Sequence, residues 1–302
     1  MSGAKANVRA HRRKSRRRRD AIGIVGVGLI GGSLAKAIRL RFPRKILIGV
    51  EPRRAPRAAA QRDRLFDFLS PRPSSDLEQC EIVILAAPVA QVVQLLGTVS
   101  SRMRDGAILS DVAGVKEPVI HAARSRVRPG VAFVGAHPMF GGPSGGYGAS
   151  RPDSWRGGVV AVCTDGADRH AVARIARFHR VLGARVLLCT AVDHDQAIAA
   201  VSQLPYVLAS AIALTARDAG RTARRLAARG LAGTTRLAAF EYGVQGETSR
   251  RNRHLGKAVR SFAANLRRLL DALAASPSAA RAAFDRARRA QRQISSRKAS
   301  RR

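Results

Sequence analysis

Acidic residues are scarce in this 302-residue chain: 20 Asp and Glu stand against 55 Lys and Arg, for a formal net charge of +35. That balance draws anions rather than cations toward the surface. Aromatic residues are also few, at 4%, so a core has to rest on Val, Leu, Ile and Ala, which the 46% hydrophobic content supplies. The three cysteines, Cys80, Cys163 and Cys189, are far apart, odd in number and free of any CxxC spacing. They indicate neither a disulfide framework nor a zinc site, and suit reduced thiols in a cytosol. No uninterrupted apolar run reaches the roughly 18 residues of a membrane span. The basic N-terminus lacks the apolar stretch of a secretory signal. A cytoplasmic protein with no membrane partner is the expectation.

The positive charge is concentrated at the two ends. Residues 1–19 carry nine Lys or Arg and no acid, and residues 276–302 carry nine against one Asp, so the ends hold 17 of the 35 charges. Blocks of like charge repel and resist burial, which predicts a basic leader over 1–19 and a basic tail over 276–302, each disordered or weakly helical. Non-specific nucleic-acid contact is one use for such ends. Compositional drift in an Arg- and Ala-rich chain accounts for them more simply and is favoured. No basic groove interleaved with aromatics supports the nucleic-acid reading.

Between these ends the pattern changes once. Apolar runs at "AIGIVGVG", "KILIGV" (45–50), "EIVILAAP" (81–88), "GAILSDV" (106–112), "VAFVGAHP" (131–138), "GGVVAVC" (157–163) and "ARVLLC" (184–189) read as buried strands. Helical stretches at 29–42, 89–103, 115–127 and 167–182 separate them. Alternation of this kind predicts βαβ crossovers and a mostly parallel sheet. After Thr190 the strands stop, and Ala-, Leu- and Arg-rich helical sequence takes over. A long helix N-capped near Asp193 and bent at Pro205 is expected, then helical segments around 221–242 and 252–275, with Ser276-Pro277-Ser278 as a break. The fold class predicted is an α/β Rossmann-type dinucleotide-binding domain over 20–190 followed by an all-α domain over 191–275.

The first strand runs into "GVGLIGG", which holds G-x-G-x-x-G at Gly26, Gly28 and Gly31. Between a strand and a helix this pattern has a mechanism. The first glycine allows the tight turn, the second lets backbone approach a pyrophosphate, and the third lets helix and strand pack closely. Leu29 and Ile30 then open the helix, whose unsatisfied N–H groups hold an anion. Glu51 ends the second strand, the usual station of an acid that binds the adenosine ribose hydroxyls. Its charge favours NAD, whereas Arg53 and Arg54 could clamp the extra phosphate of NADP. NAD is the preferred expectation. Pro88 and Asp111 stand at further strand C-termini, on the edge where open α/β sheets bind ligands, and are expected at the cofactor. Lys116 follows Asp111 closely and is expected at the substrate, or serves only as the first turn of a helix.

In "FVGAHPMFGGPSGGYG" (133–148) a histidine, His137, sits between a short apolar strand and a glycine-rich loop. A histidine satisfied by backbone near a strand end is one reading. A general base beside a cofactor site is the other, since a neutral imidazole accepts and releases protons near working pH.

Five segments together resemble the prephenate and arogenate dehydrogenases of tyrosine biosynthesis: "GVGLIGGS" (26–33), "SDVAGVK" (110–116), "GAHPMFGG" (135–142), "HDQAIAAVSQLPY" (194–206) and, more weakly, "GTTRLAAF" (233–240). The resemblance implies a nucleotide-binding domain joined to a helical dimerisation domain, hence a homodimer. It leaves no room in the chain for a regulatory ACT domain. It implies NAD(P)-dependent oxidative decarboxylation of prephenate or arogenate, with His137 as general base and Arg236 as clamp on the side-chain carboxylate. Ser202, Gln203 and Tyr206 are the implied further substrate contacts. Several positions depart from the family pattern. Gly114 stands where a serine is usual, Gly142 where a serine or threonine is usual, with Ser144 near enough to substitute. Gln203 and Tyr206 stand where two histidines are usual. These departures leave a different cyclohexadienyl substrate, or a non-catalytic relative binding nucleic acid through its ends, as alternatives.

Overall fold

The computed structural model describes residues 21–142 and 145–299. The leader at 1–19 and Ser144, assigned expectations above, lie outside them. Residues up to Asn252 form one compact unit and those from Arg253 a second.

The first unit begins with strand β1 (Ala21–Val25), helix α1 (Leu29–Arg41), β2 (Leu47–Val50), α2 (Arg54–Arg62) and β3 (Phe68–Ser70). It continues with β4 (Cys80–Leu85), α3 (Val89–Ser100), β5 (Ile108–Asp111), α4 (Glu117–Arg126) and β6 (Ala132–Val134). The six strands form one sheet in the order β3-β2-β1-β4-β5-β6, and every neighbouring pair is parallel. Because β1 and β4 are central and covered on both faces, they read as continuous Ile/Val runs rather than alternating ones. Two apolar clusters flank this sheet. One holds Leu34, Ile38 and Trp155, the other Val92, Leu96 and Leu109. The strand order reverses between β1 and β4, so the C-terminal ends of these strands open a crevice there, the standard ligand position in this architecture.

Residues 131–138, which read as one strand, are two. β6 ends at Val134, and β7 (Ala136–Pro138) joins a second sheet of order β7-β8-β9, with β8 (Val159–Cys163) antiparallel to β7 and parallel to β9 (Arg185–Cys189). Only Gly135 separates the two strands, and its carbonyl accepts from the Cys163 amide at 2.8 Å, so it already belongs to the second ladder. Helix α5 (Arg169–Val181) precedes β9 and is N-capped by Asp168, whose carboxylate accepts from the His170 and Ala171 amides. The short β3 escaped the sequence pattern because its three residues are half-buried or exposed rather than apolar throughout.

Helical structure then runs from α6 (Ala191–Ile198) through a π-turn at Ala199–Gln203 into α7 (Leu204–Asp218). The N-cap is Thr190, whose hydroxyl accepts from the Asp193 amide at 3.1 Å, rather than Asp193 itself. The expected disturbance at Pro205 is this π-turn. Proline lacks an N–H and its ring crowds the carbonyl four residues back, so the preceding turn widens by one residue. By length and composition Ala191–Asp218 is apolar enough to cross a membrane, although its polar interruptions keep it from being an unbroken apolar run, and 22% of its most apolar stretch is buried. The helical segment expected around 221–242 is broken into α8 (Gly220–Leu226), α9 (Arg229–Thr235), a 3₁₀ turn at Arg236–Ala239 and a π-turn at Tyr242–Gly246, before α10 (Glu247–Arg251).

The second unit contains α11 (Leu255–Ala275) and α12 (Pro277–Ala299), packed on one another. The tail expected to be disordered or weakly helical is thus a helix over 277–299. Ser276 accepts from the Ala279 amide at 3.1 Å, and Pro277 takes the first helical position. The Ser-Pro-Ser break that ends one helix is therefore also the start of the next.

Candidate active site

At the glycine-rich turn, Gly26 has φ +98°, and a Cβ there would lie 2.4 Å from the Ala86 carbonyl oxygen. A Cβ at Gly31 would lie 1.9 Å from the Gly26 carbonyl oxygen, which forces α1 away from the turn. Gly28 is different: the nearest neighbour to its missing Cβ is an Arg53 nitrogen at 3.8 Å, so its face is open. Gly28 is also the N-cap of α1 and supplies no side-chain cap, which leaves the first amides of the helix directed out of it. Behind the turn, the buried Glu51 carboxylate accepts from the Val27 amide at 2.8 Å and from the Arg53 amide and Nε at 3.0 and 2.9 Å. Burial alone would raise its pKa, but the Arg53 side chain and these amides hold it below the usual carboxylate range. An open glycine face, uncapped amides and an anchored acid are what a dinucleotide requires, and the residues present fit one.

Beside this turn lies a cavity of about 550 Å³. Gly28, Leu29, Ile30, Arg53 and Pro88 line its sheet side, and His137 and Gly114 line it as well. Ser202, Gln203 and Arg236 close it from the helical side, together with Glu241 and Thr248. Of the residues singled out from the sequence, Gly26, Gly31, Glu51, Arg54, Asp111, Lys116 and Tyr206 do not line it. The two glycines and Glu51 shape the turn from behind. Tyr206 falls on α7, beyond the π-turn that carries Ser202 and Gln203 inward.

Asp111 and Lys116 do not stand on an open edge. Both side chains are fully buried and form an ion pair with each other. Lys116 Nζ also donates to the Ala136 carbonyl at 2.7 Å, while Asp111 accepts from the Ala113 and Ala136 amides at 2.9 and 3.2 Å. Their hydrogen bonds are made to each other and to the backbone around β5 and β7, and neither residue lines the cavity. They brace the residue immediately before His137.

His137 itself is one end of a chain of hydrogen bonds. Its Nδ1 lies 3.0 Å from His194 Nε2, and His194 Nδ1 lies 2.7 Å from Asp195 Oδ1. The Asp195 carboxylate accepts further from the Lys116 and Glu117 amides at 2.8 and 2.9 Å, at the N-terminus of α4. Asn252 Nδ2 donates to the Asp195 carbonyl at 2.7 Å. Burial first, and then the neighbouring His194 and Lys116, push the His137 pKa well below the usual imidazole value. On the cavity side, a Cβ at Gly114 would lie 3.5 Å from His137 Nε2 and 3.0 Å from Thr248 Cγ2, so Thr248 fills part of the space a larger residue at 114 would take. The sequence reading assigned no role to His194, Asp195 or Thr248. The adjacent His-Asp pair at 194–195 was the available signal, but its partner is 57 residues away in sequence.

A family model for the prephenate dehydrogenase nucleotide-binding domain matches residues 34–188, and one for the prephenate dehydrogenase dimerization domain matches residues 190–281. The chain belongs to the prephenate dehydrogenase family. It is 26% identical over 226 residues to the prephenate dehydrogenase of Bacillus subtilis, covering 73% of this chain and 61% of that one. It is likewise 26% identical over 189 residues to the cyclohexadienyl dehydrogenase of Zymomonas mobilis, covering 62% and 64%. The chain therefore spans about three-fifths of the length of these curated relatives. Among solved structures, it shares its fold with the Aquifex aeolicus prephenate dehydrogenase crystallised with hydroxyphenyl propionate and NAD+, at a TM-score of 0.80 and 21% identity over 93% of this chain and 98% of that one. It is also similar to the Synechocystis arogenate dehydrogenase, at a TM-score of 0.75 and 26% identity over 93% and 99%.

Proposed function

We propose that this member of the prephenate dehydrogenase family catalyses the NAD(P)-dependent oxidative decarboxylation of prephenate or arogenate, with His137 as general base and Arg236 as the carboxylate clamp. The observation that carries this reading is the His137–His194–Asp195 chain ending at the cavity. A carboxylate only accepts hydrogen bonds, so His194 carries its proton on Nδ1 and offers Nε2 as an acceptor. His137 must then carry its proton on Nδ1, which leaves Nε2 unprotonated on the Gly114 side of the cavity. His194 and Asp195 are positioning residues in this scheme: they fix the tautomer and the ring orientation.

His137 Nε2 takes the proton of the C4 hydroxyl as the C4 hydrogen departs with its electron pair. A nicotinamide held at the Gly28 turn would, in its oxidised form, supply the acceptor for that hydride. The ring carboxylate then leaves as CO2, its bonding electrons make the ring aromatic, and the proton on His137 returns to the resulting phenolate oxygen. Arg236, which lines the cavity from the 3₁₀ turn, carries a guanidinium that suits a planar carboxylate bidentately. NAD is the cofactor we favour, since the buried, anionic Glu51 repels a second phosphate and Arg53 is already engaged on that carboxylate. The exposed apolar residues Val201, Ile212 and Leu214 on the π-turn and α7 support a homodimer formed through this helix.

The test is the appearance of reduced nicotinamide when the full chain is offered prephenate and arogenate, each with NAD and NADP, with the His137→Asn variant as control. Turnover that vanishes in the variant supports the reading. Dinucleotide binding without turnover of either compound would overturn it.

A further inference from the structure

Gln203 ends the π-turn at Ala199–Gln203, lines the cavity and is fully buried. Its Nε2 faces the Thr248 carbonyl oxygen at 3.5 Å. A carbonyl only accepts, so the amide nitrogen has to be on that side, and the orientation of the amide is fixed. Oε1 is left as a buried acceptor with no partner. An acceptor in that state is unfavourable until a donor arrives, and the residue that carries it is part of the cavity wall.

The charges around the cavity point to the kind of donor. Three ionised side chains line it: Arg53, Arg236 and Glu241. Arg53 is bound to Glu51 at the dinucleotide turn. Arg236 and Glu241 are five residues apart on the segment that closes the other side, and among the described residues neither side chain has an ion-pair partner. A site with one uncompensated cation, one uncompensated anion and an orphan carbonyl oxygen complements a zwitterion. An α-amino acid supplies a carboxylate for Arg236 and an ammonium for Glu241 and Gln203 Oε1. An α-keto acid satisfies Arg236 alone, leaves Gln203 Oε1 unpaired and brings no cation to Glu241. Gln203 also stands where the family pattern has histidine, and unlike a histidine it never becomes cationic and never repels an ammonium.

Resting on the dehydrogenase reading above, we infer that this cavity selects the amino-acid form of its substrate, arogenate, over the keto-acid form, prephenate, and that Gln203 and Glu241 read the ammonium group. Steady-state rates on the full chain with both compounds test this, together with calorimetric binding of the two products, L-tyrosine and 4-hydroxyphenylpyruvate, in the presence of reduced dinucleotide. The expected result is a kcat/KM for arogenate at least about tenfold above that for prephenate, with L-tyrosine binding the tighter of the products. Glu241→Gln, at an exposed position, and Gln203→Met each lower that preference by about tenfold, through the KM for arogenate. A general disturbance of the fold would lower both substrates together and leave the ratio in place. Equal use of the two compounds, a preference for prephenate, or a ratio untouched by Glu241→Gln overturns the inference while the dehydrogenase reading stands. Turnover of neither compound with no binding of either product overturns both.

Discussion

Two buried histidines in this protein share a depressed pKa but little else. His179, on α5, is buried in the core against Trp155, whose Nε1 donates to its Nδ1 at 3.1 Å. Burial pushes its pKa down to about 3, and its Nε2 has no partner. His137 is depressed by burial as well, but its Nδ1 donates into the His194–Asp195 chain and its Nε2 stands at a cavity. The neighbours therefore select opposite tautomers: the proton is on Nε2 in His179 and on Nδ1 in His137. A shifted pKa marks burial in both. What separates a packing histidine from a candidate base is where the unprotonated nitrogen points and what fixes it there.

Substitutions should separate the two histidines in kind as well as size. The largest effect is expected from His137→Asn, which removes the base and should lower kcat by ~10²–10⁴-fold with little change in the unfolding midpoint. Asp195→Asn comes next. An amide in place of the carboxylate puts a donor among the three donors that Asp195 now serves, which destabilises the required tautomers of His194 and His137. A fall in kcat of about 10²-fold is expected, with the KM for dinucleotide unchanged and the acid limb of the pH–rate profile displaced. An unaltered pH profile would sever His194 and Asp195 from catalysis. His179→Leu should do the reverse, leaving kcat intact but lowering stability by about 1–3 kcal/mol, because the Trp155 Nε1–H loses its buried acceptor. Denaturant midpoints alongside steady-state rates distinguish these cases.

The smallest effect is a pH dependence of stability. His179 has a folded pKa of about 3 against an ordinary value of 6.5, so the unfolded chain binds more protons than the folded one as pH falls through 6.5. Stability contributed by the neutral ring is complete above that pH and is lost below it, by about 1 kcal/mol at pH 5.5. His137 adds a loss of the same sign. Denaturant midpoints at pH 7.5 and 5.5 read the sum, and a smaller drop in His179→Leu would assign its share.

Local signals made the sheet half of the site legible in advance. The glycine turn and the strand end at Pro88, both at the cavity, follow from short patterns whose geometry is contained within a few residues. His137 was legible as a candidate from its place between a strand and a glycine loop, and more firmly from the family resemblance. The residues whose surroundings were hidden are those whose contacts come from distant partners. Asp111 and Lys116 stand at a ligand-binding edge in sequence, but the backbone that turns from β6 into β7 lies against them and takes their hydrogen bonds. His194 and Asp195 look like ordinary first-turn residues of a helix until α4 and β7 are brought beside them. The breakage of 221–242 into short turns was hidden for another reason. Its Ala- and Arg-rich composition favours helix at every position, whereas Arg236 and Glu241 reach the cavity through 3₁₀ and irregular backbone that propensity does not register.

The π-turn at Ala199–Gln203 acts as a phase shifter. An α-helix advances about 100° per residue, so one extra residue in a turn rotates everything downstream by roughly that angle while the axis continues. α6 and α7 thereby form a single rod with two independent faces. Before the shift the rod turns His194, Asp195 and Ile198 inward. After it, the apolar stripe that includes Ile212 and Leu214 is carried to the outside. Without the extra residue both stripes would be set by one periodicity, and a change to the outer surface would be felt at the inner one. With it, the same helix holds the histidine–aspartate pair beside His137 at one end and presents an exposed apolar stripe at the other, each free to vary without the other.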